Sequence, residues 1–442
     1  MKTFHLVSLG CPKNLVDSEV VFGQLEYHGW KGVEQPENAN LLVVNTCGFI
    51  QSAVEESIEE ILQLAVYKQQ DPRKKLAVIG CLVQRYRKRL ESEIPEVDLF
   101  VGTEGINDIH FSFNRLFSEY DFEKTVIPEP FLMTAAMPRR LSTPFFRAWL
   151  KITEGCNNHC SYCLIPGIRG RLRSRSIEDL VAEVQKLEAQ GVKEVSLVAQ
   201  DLTAYGVDVY HARRLVELLE QLLARTAISW IRLMYLYPSG INDQLLELVS
   251  QQPRIVPYLD IPLQHVSDHV LKDMNRRYGY DDVVQLIDKL RNKLPHIALR
   301  TTFLLGFPGE TDADVQQLVD FIEAVQFDHL GVFSYANEEG CPAEKFNDQI
   351  PEEVKQARVE TVLDVQSKIS ARKLQKYVGT VESVIIEGLS RETDLLLEGR
   401  TRYQAPDIDG CVLINEGDAS PGDILDVEIT EAHMYDLVGR IV

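Results

Sequence analysis

Hydrophobic positions in the first 135 residues follow two alternating periods. Phe4 to Leu9, Leu41 to Asn45 and Lys75 to Ile79 are short strand-like runs, whereas Leu15 to Tyr27 and Ala53 to Tyr67 repeat with helical spacing. Alternating strands and helices predict a doubly wound parallel α/β sheet over residues 1–135, with ligands gathering beyond the carboxyl ends of its strands. From 142 to 375 the alternation resumes. Strand-like runs at Ala148 to Ile152, Glu194 to Ala199, Trp230 to Tyr235, Pro257 to Ile261, Ala298 to Leu304 and His329 to Ser334 are separated by helical patterns such as Ile177 to Ala189, Leu215 to Arg225 and Tyr280 to Lys293. Six such repeats predict an open, partial (β/α)6 barrel whose active site lies on the loops that follow the strands. A long polar helix, Glu352 to Lys376, then leads into short alternating runs, Val381 to Glu387, Thr393 to Gly399 and Ile424 to Ile429, punctuated by Gly and Pro. Residues 376–442 are therefore expected to form a small antiparallel β-barrel.

Cysteines carry the candidate chemistry. Cys156, Cys160 and Cys163 form a Cys-x3-Cys-x2-Cys loop after the first barrel strand. Structural zinc sites close with four protein ligands, whereas three thiolates suit an iron-sulfur cluster with one iron left open. A zinc knuckle completed by His159 or Cys341 is the alternative. Cys11, Cys47 and Cys81 each follow a predicted strand of the first unit, so a parallel sheet puts all three on one edge. They could converge on a second open cluster, with adjacent glycines allowing close backbone approach; three independent buried cysteines are the alternative. Cys341 and Cys411 are read as structural. Gly306, Gly309 and Glu310 follow the fifth barrel strand and fit either a cofactor contact or a tight turn beside a helix start. Gln200 and Asp201, after the second strand, could bind cofactor or cap the next helix. Arg169, Arg171, Arg173 and Arg175 alternate along a basic strip that could meet a carboxylate or simply be solvated.

Charge narrows the partners. The 442 residues carry a formal net charge of −20, which argues against direct nucleic acid binding, because phosphate affinity comes from clustered Lys and Arg. Residues 376–442 hold 5 Lys and Arg against 14 Asp and Glu, a net of −9, so a strongly basic protein is the better complement to that barrel. No apolar run approaches the roughly 20 residues that span a bilayer. The N-terminus opens on a strand rather than a signal peptide, and the expected compartment is a reducing cytoplasm.

The three-cysteine loop, with Tyr162 just before its last cysteine, resembles the radical S-adenosylmethionine superfamily. Preceded by a three-cysteine α/β unit and followed by a barrel similar to a TRAM domain, it resembles the methylthiotransferase family over nearly the whole chain. One branch of that family modifies an adenosine of transfer RNA and the other an aspartate of ribosomal protein S12. Ser8-Leu9-Gly10-Cys11-Pro12-Lys13-Asn14, Asn45-Thr46-Cys47-Gly48-Phe49-Ile50, Met234-Tyr235-Leu236-Tyr237-Pro238, Tyr258 to His265 and Gly331 to Tyr335 look like the ribosomal branch. Ala336-Asn337 and Cys341 depart from its pattern without touching a cysteine of either set. The resemblance implies two 4Fe-4S clusters, one on Cys156, Cys160 and Cys163 and an auxiliary one on Cys11, Cys47 and Cys81, with S-adenosylmethionine as cofactor. Tyr162, Gln200, Asp201, Gly306, Gly309 and Glu310 are the further cofactor-contact candidates. It implies radical abstraction of hydrogen from the aspartate β-carbon, sulfur delivery from the auxiliary site, and an electron donor as partner. A non-catalytic iron-sulfur or zinc protein binding RNA through its last barrel is the reading from a different class.

Overall fold

The computed structural model describes residues 2–118 and 122–442. The first unit contains a six-stranded, wholly parallel sheet, ordered Lys31–Gly32, Thr3–Ser8, Leu41–Thr46, Lys75–Gly80, Leu99–Val101 and Thr125–Val126. Its core lies on both faces, as the period of two requires: Leu42, Val44, Leu76 and Val78 face one helical layer, and Leu41, Val43, Ala77 and Ile79 the other. Strand order reverses between Thr3–Ser8 and Leu41–Thr46, which opens a crevice at their carboxyl ends.

Six parallel strands form the second sheet in chain order: Arg147–Lys151, Glu194–Val198, Trp230–Leu233, Ile255–Asp260, Ala298–Leu305 and His329–Ser334. The first and last do not pair, so the barrel is open. Helices Ile177–Ala189, Leu215–Arg225 and Tyr280–Lys293 follow their apolar stripes and cover the outside.

The inside is filled jointly by the barrel and by other parts of the chain. Trp149, Val198, Trp230, Met234, Val256, Tyr258 and Ala298 project inward and pack with Val16 and Val20 of the N-terminal helix Pro12–Tyr27 and with Ile385 and Ala405 of the last unit. Burying each of these valines is worth about 1.5–3 kcal/mol, so neighbouring units join the barrel's own side chains in sealing it. Charged groups complete the seal at the lower end: Glu194, fully buried, pairs with Arg232 (2.8 Å) and with Arg400 of the last unit (2.6 Å).

The last unit is a closed five-stranded barrel. Four of its pairings are antiparallel, and Val412–Glu416 runs parallel to Leu437–Ile441 to close it. The strand expected over Thr393 to Gly399 begins only at Leu397, because the Thr393 hydroxyl accepts the Leu395 N–H and turns the chain. No helix among the described residues is long and apolar enough to cross a membrane.

Candidate metal and cofactor centre

Each cysteine of the first unit sits where a strand ends. Cys11 caps helix Pro12–Tyr27, Cys47 follows Leu41–Thr46, and Cys81 opens helix Cys81–Tyr86 directly after Lys75–Gly80. Because Ser8 aligns with Asn45, and Asn45 with Ile79, the three loops leave the sheet at one level. Two glycines then let them touch. A Cβ on Gly10 would lie 2.9 Å from that of Cys47, and one on Gly48 would lie 2.8 Å from the Leu82 backbone nitrogen. Gly10 also has φ +87°, which a side chain would strain.

Polar side chains lace the loops together. Asn45 Nδ2 donates to the Asn14 carbonyl (3.0 Å) and to Ser18 Oγ (2.8 Å), and Thr46 Oγ1 donates to the Ile79 carbonyl (2.7 Å). Ser57 Oγ donates to the Cys47 carbonyl and accepts its N–H, while Arg85 donates to the Gly48 carbonyl at 3.0 Å. Burial pushes the Cys81 thiol up to about 12, opposed by the nearby Arg169 guanidinium and reinforced by Cys11 and Cys47; the Cys47 thiol is also raised, chiefly by burial. Thiols held protonated in this way are poor nucleophiles at neutral pH, and their deprotonation falls to a bound metal.

The second cysteine set is local. Cys156 follows Thr153–Glu154, and its N–H donates to the Gly170 carbonyl (3.1 Å), closing the loop at its base. Backbone N–H groups point at the sulfurs, Asn158 to Cys156 (3.4 Å) and Ile165 to Cys163 (3.5 Å), and Arg276 Nη1 lies 3.5 Å from the Cys160 sulfur. The same guanidinium donates to the Pro262 carbonyl and the Tyr278 hydroxyl and faces the Tyr237 ring at 4.4 Å. Burial pushes Cys156 up to about 11 and Cys163 up to about 12.

Among the described residues no three His, Cys, Asp or Glu side chains converge tightly enough for a single metal ion. A tetrahedral ion with bonds of about 2.3 Å would hold its sulfurs about 3.8 Å apart. Two sets of three soft thiols, one on a single loop and one on a single sheet edge, fit a cluster that takes one thiolate per iron corner. His159, one proposed closer of a zinc knuckle, has an exposed side chain and offers Asn275 its carbonyl oxygen. Cys341, the other, is buried near Cys163 and is itself pushed up to about 11 by burial.

The remaining candidates fall in different places. Asp201 caps the turn Leu202–Ala204, accepting from Thr203 and Ala204, and its other oxygen accepts from Asn158 Nδ2 (2.8 Å), so it also braces the cysteine loop. Gln200 is half-buried beside it. Tyr162 packs against Met274, Phe307 and Tyr335 with its hydroxyl 3.4 Å from Arg276. Both oxygens of Glu310 accept the Gly306 N–H (3.0 Å), and Arg358 pairs with it at 2.8 Å, so this buried carboxylate shapes the turn from Gly306 to Gly309 from within.

The basic strip divides: Arg171 is exposed, Arg175 pairs within its own domain, and Arg169 and Arg173 clasp two domains. Arg169, 2% exposed, pairs with Asp17 of the N-terminal helix (2.7 Å) and with Glu154, and donates to Asn14 Oδ1 at 3.2 Å. Lys151 pairs with the same two acids. Arg173 pairs with Glu104, and Arg175 with Asp179 and Glu183. A second clasp lies behind Cys47: Glu338, from the segment after the last barrel strand, pairs with Arg85 at 2.9 Å and accepts the Gln51 N–H. Between the clasps, helix Cys81–Tyr86 packs on Ile165–Ile168, bringing the two cysteine loops to the same junction. Arg276, Asn158, Lys13 and Glu338 escaped sequence reading. Asn158, inside the cysteine loop, and Lys13, two residues past Cys11, left a local signal.

Comparison with known proteins agrees with this architecture. Residues 3–102 match the uncharacterized protein family UPF0004, 150–322 the radical SAM superfamily and 378–442 the TRAM domain. The ribosomal protein uS12 methylthiotransferase RimO of Desulfotalea psychrophila is 56% identical over 99% of both chains. Its counterpart from an Anaeromyxobacter species is 48% identical over 99% of this chain and 93% of its own. Among solved structures, the radical S-adenosylmethionine methyltransferase TsrM from Kitasatospora setae superposes with a TM-score of 0.56 at 15% identity, covering 87% of this chain and 78% of its own, a likeness of fold.

Proposed function

The chain belongs to the ribosomal protein uS12 methylthiotransferase family, RimO, and from that premise we propose that it installs a methylthio group on the β-carbon of an aspartate of uS12 by radical S-adenosylmethionine chemistry. The observation that carries the reading is the pair of cysteine sets brought to one domain junction, Cys156, Cys160 and Cys163 on one side and Cys11, Cys47 and Cys81 on the other. When bound, two 4Fe-4S clusters would supply an electron for cleaving S-adenosylmethionine and an open iron for holding sulfur. These six thiols would be the ligands, one set for each cluster.

The rest of the chain positions and shields. Asp201 and Asn158 brace the first loop, Arg276 donates to a ligand sulfur, and Asn14, Asn45 and Ser57 hold the second set of loops. Tyr162, Gln200 and the turn from Gly306 to Glu310 line the cofactor's side of the barrel mouth on this reading. A primary carbon radical reacts with whatever is near, so the clasps at Arg169 and Glu338 serve to keep the junction closed to water. Residues 1–135, 142–375 and 376–442 act as the sulfur-holding, radical-generating and partner-docking domains.

The reading places the enzyme in the cytoplasm with a reductive electron donor. The acidic last barrel meets a basic ribosomal protein rather than nucleic acid directly. Mass spectrometry of uS12 from a strain lacking this gene tests the assignment, which predicts loss of the methylthio mass from the aspartate. Its persistence, or loss of a methylthioadenosine from transfer RNA instead, would refute it.

A further inference from the structure

Four lysines are buried among the described residues, and two of them, Lys74 and Lys13, have no partner of opposite charge. Lys151 pairs with Asp17 and Glu154, Lys355 pairs with Glu352, and Lys74 donates to three backbone carbonyls, those of Pro36, Glu37 and Ala39. Lys13, 6% exposed, has one carbonyl, that of Ala199, at a long 3.4 Å, and the face of the Tyr235 ring at 4.1 Å. It also sits in the first turn of helix Pro12–Tyr27, which has no acidic residue there, so its charge faces the positive end of the helix. A buried ammonium so placed is costly unless an anion joins it.

Position says which anion. Ala199 and Tyr235 lie just past the second and third barrel strands, at the mouth where Asp201 braces the radical cysteine loop. Cys11, two residues before Lys13, lies near the same Tyr235. Tyr235 is held in a left-handed conformation, φ +61°, by its N–H donating to the buried Asp260 carboxylate (3.1 Å), so the ring that backs Lys13 is fixed from below. Lys13 thus reaches from the sulfur-holding domain into the radical-generating one, between the two cysteine sets.

We infer that Lys13 binds the side-chain carboxylate of the substrate aspartate. This rests on the reading of an aspartate as the modified residue. Anchoring the carboxylate fixes the β-carbon one bond away, which is where hydrogen leaves and sulfur arrives, and it sets the requirement for aspartate over its uncharged isosteres. Lys13 is in this sense a binding and specificity residue of the reaction.

The test compares purified uS12 with a uS12 variant carrying asparagine at the target aspartate, each assayed for methylthiolation by the reconstituted full-length protein. The readout is the ratio of kcat/KM for the two substrates, which does not depend on how fully a preparation is loaded. The unaltered chain is expected to favour aspartate by on the order of 100-fold, Lys13→Met to lose most of that ratio, and Lys13→Arg to keep it. An undiminished ratio in Lys13→Met, with only the potential of an auxiliary cluster shifted, would overturn the inference and make Lys13 a counter-charge to the metal group. Failure of the unaltered chain to modify uS12 at all would instead strike the proposed function, and this inference with it.

Discussion

The two cysteine sets are built in opposite ways. Cys156, Cys160 and Cys163 lie within eight residues of chain, and their loop is closed by its own backbone, from Cys156 to Gly170. Cys11, Cys47 and Cys81 are 36 and 34 residues apart and meet only because three parallel strands end at one level and two glycines let the turns touch. A local loop pays little closure entropy and can form before its surroundings; a set drawn from three strands exists only after the sheet does. The dependence runs further, since Arg169, the guanidinium beside Cys81, belongs to the other domain. On the proposed reading, radical generation would rest on a largely local loop, and sulfur delivery on the assembled molecule.

The sharpest way to break this contrast is to remove one thiol from each set. Cys160→Ala is expected to abolish both deoxyadenosine formation and methylthiolation, whereas Cys81→Ala keeps the first and loses the second. Anaerobic assays of both products decide it, and methylthiolated uS12 from Cys81→Ala would end the division of labour.

Arg169→Gln comes next. It leaves Asp17 and Glu154 to Lys151 alone at a buried junction, with an expected loss of about 3 kcal/mol, visible as a thermal midpoint several degrees lower. Sulfur insertion should fall far more than deoxyadenosine formation. Equal losses would mean that the clasp serves both sets alike.

Arg276→Gln sharpens the local side. Removing a charged donor 3.5 Å from the Cys160 sulfur should lower the reduction potential of the radical cluster by on the order of tens of millivolts, with no matching shift at the auxiliary one. Redox titration followed by electron paramagnetic resonance reads both.

The smallest effect at neutral pH lies at a junction that carries no thiol. Burial opposes ionisation of Glu194, but the guanidiniums of Arg400 and Arg232 overcome it and hold its carboxyl at about 2. A carboxylate depressed in the folded state contributes its full stability above its unfolded value of about 4.5 and loses it as pH falls toward 2. Docking of the last barrel should therefore weaken through that window, reported by Trp149 and Trp230 fluorescence in the shared core, and Glu194→Gln should flatten the change.

Local regularities were legible along the chain. The helices Ile177–Ala189, Leu215–Arg225 and Tyr280–Lys293 and the strand His329–Ser334 occupy the residues that periodicity assigns them, because apolar spacing reports which face an element buries. Cysteine spacing revealed one candidate set directly and the other through the expected parallel topology. The strand Leu397–Thr401 shifted because a side-chain turn at Thr393 outweighed apolar alternation, and the parallel closing pair of the last barrel left no mark in the pattern.

The sequence by itself determined the elements, the order of the three units and the thiols available to each site, since these depend on neighbours a few residues apart. Only the tertiary structure decided that Arg169 and Arg173 of the arginine strip clasp two domains, that neighbouring domains help to fill the open barrel, and that Lys13 enters its mouth without a counter-charge. Such facts depend on side chains over a hundred positions apart sharing a region from which water is excluded, and no local pattern encodes which distant charge will be there to meet another.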